Sequence, residues 1–224
     1  MTLSPLGDAA VVLDLGPEID EAAFARILAL ATALESNPPA GVTDVVTAFT
    51  TVTVFYDIAR AGGYGQLCAE LKARAERAAS RPPFAAGRLI EIPVCYLDEF
   101  APDLPQVAAH AGLAVNDIIA LHSGVEYRVQ AIGFVPGFPY LGGLPARLHT
   151  PRRATPRTQV PAGSVGIGGA LTGVYPLATP GGWNLIGHTP LALFRTQEDP
   201  PALLRTGDRV KFKPISTEEF VAWK

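Results

Sequence analysis

Residues 127–197 hold 12 Gly and 9 Pro, and no other property of the chain limits its fold so strongly. Proline fixes φ and donates no backbone hydrogen bond, so it interrupts helices and central strands alike. Such enrichment without a period would suit a low-complexity segment. Yet Phe134, Phe138, Tyr140, Leu144, Val165, Ile167, Val174, Tyr175, Trp183, Leu185 and Ile186 are interleaved with it, and a disordered segment lacks such residues. Short strands joined at tight Gly/Pro corners satisfy both facts and fit a β-barrel or a sandwich, of which a barrel is the expectation.

The first 80 residues read differently. Residues 9–15 form a short apolar strand. Asp20 is placed to cap a helix in which Phe24, Ile27, Leu28, Ala31 and Leu34 recur at helical spacing, ended by Asn37-Pro38-Pro39. Two β-prone runs follow, 42–49 and 51–56, with Val52, Val54 and Tyr56 on one face. After Gly62-Gly63 a second helix carries Tyr64, Leu67, Cys68, Leu71 and Ala75 on its buried stripe, and Glu70 and Arg74 form an i,i+4 pair. Strand, helix, two strands, helix is most of a ferredoxin-like unit. No catalytic constellation is visible in it.

Ser80-Arg81-Pro82-Pro83 reads as a linker. Beyond it, 89–96 resumes as a strand. Asp103 is expected to cap a short helix closed by Gly112, and Asn116 another that stops near Ser123-Gly124. The expected fold class is therefore α+β, with a ferredoxin-like domain over residues 1–82 and a β-barrel domain over 83–224.

Charge is distributed unevenly. Residues 127–197 contain no Asp or Glu but six arginines: Arg128, Arg147, Arg152, Arg153, Arg157 and Arg195. The formal total of −3 leaves −9 for the residues outside that stretch. Arginine's planar fork suits carboxylates and phosphates, which makes small anions the first ligand class to consider. The alternative is a solvated basic face, or structural ion pairs with the acidic remainder.

Several function classes are excluded. No apolar run approaches the ~18 residues of a membrane span, and the N-terminus has no secretory pattern. Cys68 and Cys95 are not paired as CxxC and read as reduced thiols of a cytoplasmic protein. An acidic chain without a basic helix argues against nucleic acid. There is no GxxxxGK[ST] loop and no GxGxxG between a strand and a helix. Ala162-Gly163-Ser164-Val165-Gly166 falls one residue short of a nucleophile elbow and does not precede a helix. The histidines at 110, 122, 149 and 188 lack metal-ligand spacing, so no metal site is expected.

What remains is a set of Gly-Pro-aromatic loops: 133–143, 172–176 and 179–183. Rings on rigid corners can wall an apolar pocket, and exposed loop amides can bind oxyanions. Phe134, Phe138, Tyr140, Tyr175 and Trp183 are the candidate walls. Arg128, Arg152, Arg157 and Thr172 are the candidate anion and substrate contacts. The alternative is that the rings simply fill a core. His122, at the end of a predicted helix, is the candidate proton-transfer group, with a structural residue satisfied by the helix dipole as the alternative.

The runs Leu121-His122-Ser123, Glu126-Tyr127-Arg128-Val129 and Gly133 through Gly143 resemble the family of the 5-oxoprolinase B-type subunit, as do Thr150-Pro151-Arg152, Thr155-Pro156-Arg157, 160–167 and 175–183. That family is also called allophanate hydrolase subunit 1 and includes the sporulation kinase inhibitor KipI. The resemblance implies an N-terminal α+β domain and a cyclophilin-like β-barrel. It implies a C-type partner of the KipA or allophanate hydrolase subunit 2 kind. With a third, A-type partner it implies an ATP-dependent 5-oxoprolinase that opens 5-oxo-L-proline to L-glutamate. ATP is the cofactor of that complex, and the chain alone is expected to be inert. No amidase-type Ser-Ser-Lys arrangement supports allophanate hydrolysis, and nothing marks a prolyl isomerase. The alternative the family allows is a KipI-like regulator that binds and inhibits a sensor histidine kinase. Two positions depart from the family pattern: Leu97-Asp98 replaces a Gly pair, and Leu171 replaces a Gln whose amide would have served the pocket.

Overall fold

A computed structural model describes residues 1–17, 21–79 and 87–223. The chain divides into two compact units, Met1–Ala85 and Ala86–Lys224. The predicted cap Asp20 and the linker at 80–83 lie outside the described residues.

In the first unit the order is β1 (Thr2–Pro5), β2 (Ala10–Asp14), α1 (Glu21–Ser36), β3 (Val42–Ala48), β4 (Thr51–Tyr56) and α2 (Tyr64–Ala79). The strands lie in the order β1–β2–β4–β3, every pair antiparallel. Alternation in β4 turns Val52, Val54 and Tyr56 inward as period two requires. They meet Val11 and Leu13 of β2, Ile27, Leu30 and Leu34 of α1, and Leu67 and Leu71 of α2. The 3.6-residue period that marks both helices in the sequence is thus what builds this core.

Two expectations change here. The strand β1 has no sequence signature, because it is a mostly exposed edge that contains a proline. Tyr64 opens α2 and is 39% exposed, so it stands off the buried stripe. The Glu70–Arg74 pair forms at 2.7 Å.

The second unit comprises β5 (Leu89–Val94), α3 (Leu104–Ala111), α4 (Val115–Gly124), β6 (Glu126–Ile132), β7 (Pro139–Gly142), β8 (Arg157–Val160), β9 (Ser164–Gly168), β10 (Leu171–Val174), β11 (Thr179–Gly181), β12 (Asn184–His188), β13 (Arg209–Pro214) and α5 (Thr217–Ala222). Its main sheet runs β5–β13–β6–β7–β10–β9–β12, while β8 and β11 pair as a separate ribbon. Only β5 with β13 is parallel among these pairs. Helix α4 packs on β13 and α3 on β12.

The barrel expectation is corrected. The fold is mixed helix and mostly antiparallel sheet, and among the described residues the sheet does not close as a continuous ladder. Its ends meet only at a single bridge, where Cys95 and His188 exchange backbone hydrogen bonds of 2.8 and 2.9 Å. Alternation and corner residues mark strands, but closure depends on pairing between sequence-distant strands that no local pattern records.

The predicted caps also change. Asp103 flanks α3 but makes no side-chain cap bond, and its carboxylate is engaged elsewhere. Ala114, not Asn116, precedes α4. Gly112 does close α3, in the left-handed conformation that Gly adopts without strain.

Because Leu71 is fully buried and Tyr64 is not, the two positions separate stripe from rim. Leu71→Ala is expected to cost about 2–5 kcal/mol in urea denaturation, and Tyr64→Ala under about 0.5 kcal/mol. Comparable losses at both positions would refute this placement.

Candidate functional site

The turn between β6 and β7 sets the site. Val135-Pro136-Gly137-Phe138 closes with a hydrogen bond from Phe138 N to Val135 O of 3.1 Å, and Gly137 has φ +79°. Pro in the second place and a positive-φ Gly in the third are what a type II turn requires. Just before it, Val135 N donates to Gly133 O at 2.8 Å, a bond only two residues long that bends the chain around Phe134. Phe134 has φ +69°, a left-handed conformation that a large side chain rarely adopts, and its ring is 60% exposed. The backbone is strained to hold this ring outward.

The same turn sends Phe138 inward. Its ring meets Tyr140, Tyr175, Trp183 and Phe134 edge-on, at centroid separations of 5.0, 5.1, 5.4 and 5.7 Å. Edge-to-face packing of this kind adds about 0.5–1.5 kcal/mol per pair beyond area burial. Trp183 lies against β9 and β10, where a Cβ on Gly168 would fall 2.6 Å from its ring and a Cβ on Gly173 would fall 2.6 Å from Pro139 O. Here the glycines exist for close approach.

Against these rings opens a cavity of about 290 Å³. The structure places Phe134, Phe138, Tyr140, Tyr175 and Trp183 on its wall, together with Arg152, Arg153 and the 180–182 turn. The Arg152 guanidinium lies 5.9 Å from the centroid of Trp183, within cation–π range. Burial pushes the Tyr175 phenol above its ordinary pKa, partly opposed by a hydrogen bond with the Trp183 backbone and by the Arg152 charge.

The arginines of the acid-free stretch part company. Arg153 and Arg157 both bind Asp103 Oδ1, at 2.9 and 2.8 Å, and Leu185 N donates to Oδ2 at 2.7 Å. Asp103 is 4% exposed, so this is a nearly buried carboxylate shared by two cations and a backbone amide. Arg157 belongs to that clamp and is not on the cavity wall. Neither is Arg128, which lies in β6 opposite Gly142 and Arg209. Arg195 pairs with Glu198 at 2.7 Å.

His122 and Thr172 fall in a different place. Both are wholly buried. Thr172 Oγ1 donates its one proton to Gly166 O at 2.9 Å, so it must accept from His122 Nε2, also at 2.9 Å. That fixes the tautomer: Nδ1 carries the lone pair and accepts from Tyr96 Oη at 2.8 Å. Tyr127 Oη donates to His122 O at 2.7 Å, and Phe212 stacks on the imidazole at 4.6 Å. Burial lowers the His122 pKa to about 3, and pushes Tyr96 well above its usual value. Neither His122 nor Thr172 lines the cavity, and a neutral imidazole with both nitrogens engaged by protein has no proton to exchange there. Ser164 is buried in mid-sheet and forms no elbow.

Asp103, Arg153, Tyr96 and Tyr127 carry roles that sequence reasoning misses. A carboxylate before a helix ordinarily caps it, and that is the expectation Asp103 overturns. No local signal singles it out, since Asp117 and Glu126 lie nearer the acid-free, arginine-rich stretch. Leu171, which departs from the family pattern, packs against the Phe138–Tyr175–Trp183 cluster. Leu97 is exposed.

Comparison with known proteins adds a second line. The family described as "Carboxyltransferase domain, subdomain C and D" matches residues 1–204. The B-type subunit of 5-oxoprolinase from Bacillus subtilis is 45% identical, over 99% of this chain and 96% of its own length. Its counterpart from Escherichia coli O157:H7 is 49% identical, over 93% and 94%. The crystal structure of Kluyveromyces lactis urea carboxylase superposes on 98% of this chain and 22% of its own, with a TM-score of 0.77 and 22% identity, a likeness of fold.

Removing Asp103 leaves two guanidiniums partly buried without their shared acceptor. Asp103→Ala is expected to cost about 3–5 kcal/mol in chemical denaturation. A loss below about 1 kcal/mol would show the clamp to be dispensable. For His122 the sign is set by a folded pKa below the unfolded one: the unfolded chain binds the proton first, so stability falls as pH drops from about 6.5 toward 3. The slope is about 1.4 kcal/mol per pH unit in that window. Imidazole nitrogen NMR at pH 5 should show His122 neutral and protonated on Nε2; titration near 6.5 would contradict it.

Proposed function

Because the chain belongs to the 5-oxoprolinase B-type family of carboxyltransferase-like domains, we propose that it acts as a non-autonomous part of an ATP-dependent 5-oxoprolinase, opening 5-oxo-L-proline to L-glutamate. Its partner is a C-type protein of the KipA or allophanate hydrolase subunit 2 kind, and a third, A-type protein completes the complex in the cytoplasm. The observation that supports this most is the ring-walled cavity with Arg152 laid over Trp183. A lactam ring has two apolar faces for which aromatic walls are suited, and its carboxylate calls for a cation at one edge.

The chain's own contribution is then binding and environment. Phe138, Tyr140 and Trp183 orient the ring and keep water from its faces, and Arg152 balances the carboxylate. Where the rings cover the ligand, each polar contact to the amide gains strength. A cavity of about 290 Å³ stands at the lower end of small-molecule sites and does not enclose a nucleoside triphosphate. The nucleotide is therefore not assigned to this cavity, and no step through ATP is given to its residues. A kinase-docking regulator would call for a broad exposed apolar patch in place of a recessed cavity.

Glutamate release from 5-oxoproline and ATP tests the proposal. The purified chain alone should release none, and the assembled complex should turn over. Arg152→Ala in the complex should raise KM about tenfold, the worth of one charge-assisted contact. Turnover by the lone chain would end the partner requirement, and unchanged kinetics in the variant would remove the cavity from the reaction.

A further inference from the structure

The arginine cluster beside the cavity carries more positive charge than its contacts balance. One carboxylate, Asp103, serves both Arg153 and Arg157, and its second oxygen is taken by the Leu185 amide. Arg152, against Trp183, adds a further cation to the cavity wall that Arg153 lines. Moreover, Arg153 Nε and Arg157 Nη1 are buried and have no acceptor among the described residues. A buried donor left unpaired is costly, more so on a charged group. An oxyanion at the edge of the cavity that Arg152 and Arg153 line would balance part of this excess charge.

Placement agrees with charge. Arg153 lines the cavity, and its backbone N donates to Gly182 O at 2.8 Å, which fixes it to the 180–182 turn. Arg157 stands opposite Gly181, a lining residue, in the β8–β11 register. Asp103 orients both guanidiniums through one oxygen, so they converge before any ligand arrives and little side-chain entropy is left to lose.

We propose that the cavity is an oxyanion-selective site in which Arg153, held by the positioning residue Asp103, reads the ligand's charged group together with Arg152. The rings take the ligand's apolar body. This deepens the 5-oxoprolinase reading by adding a second contact for the carboxylate, and it rests on that reading only for the ligand's identity.

Equilibrium titration of the full chain tests it. The protein has two tryptophans, so Trp223→Phe leaves Trp183, on the cavity wall, as the one indole reporter. Two ligand pairs are compared, each an anion and its uncharged counterpart: 5-oxoproline with 2-pyrrolidinone, and benzoate with benzyl alcohol. At least one anion should bind about a hundredfold tighter than its counterpart, the scale of two charge-assisted contacts, one from each arginine. Arg153→Gln should cut that ratio about tenfold, to the part Arg152 supplies, while leaving the Kd of the neutral ligand unchanged, and Arg153→Lys should restore part of it. A merely structural role would weaken both members of a pair alike and keep the ratio, which overturns the proposal. So does the absence of any anion binding. If benzoate shows the Arg153-dependent ratio and 5-oxoproline does not bind, the oxyanion site stands and the substrate assignment falls. If 5-oxoproline binds with a ratio indifferent to Arg153, the substrate stands and this inference falls.

Discussion

The carboxylate of Asp103 is the contact on which the rest of the site depends. It lies at the start of α3 and takes hydrogen bonds from Arg153, from Arg157 on β8 and from the Leu185 amide on β12. Helix, ribbon and main sheet are tied at one point, and Leu185 is two residues from Trp183 in sequence. A buried carboxylate would be prohibitively costly alone, and two guanidiniums side by side would repel. Together they are tolerated, since the carboxylate offsets part of the repulsion and the guanidiniums offset its burial. A buried ion cluster of this kind is weak evidence for stability but strong evidence for geometry, because the pieces fit in one arrangement.

Around that point the packing follows from shape. Phe138 is the ring that the others surround, and it faces inward because a Pro-Gly turn reverses the chain just before it. Trp183 can lie on the sheet only where the sheet has no side chains, at Gly168 and Gly173. Part of the glycine enrichment that first suggests loops is therefore in strands, serving ring-to-backbone contact. The strained Phe134 completes the arrangement at the rim.

The Tyr96–His122–Thr172 chain illustrates the opposite use of polar residues. Every donor and acceptor of the imidazole is met by protein, and the ring stacks on Phe212. Such a network specifies one core arrangement and leaves nothing over for chemistry. The histidine that most resembles a proton carrier in sequence is held neutral by its own burial. The arginines that resemble a single basic face divide into cavity cation, clamp and surface pair.

Local order is legible in the chain. Period-two alternation marks β4, and helical spacing marks α1 and α2. Gly, Pro and aromatic residues in succession mark the loops whose rings wall the cavity, since each of these depends on neighbours within a few positions. Edge strand β1 leaves no trace because an exposed edge demands nothing of its residues. The open path of the main sheet and the fate of each charge were decided only in three dimensions. Asp103 is 50 and 54 positions from the arginines it binds, and His122 is 50 from Thr172. Electrostatic and hydrogen-bond partners are chosen by distance in space, and the sequence states which groups exist without stating which of them meet.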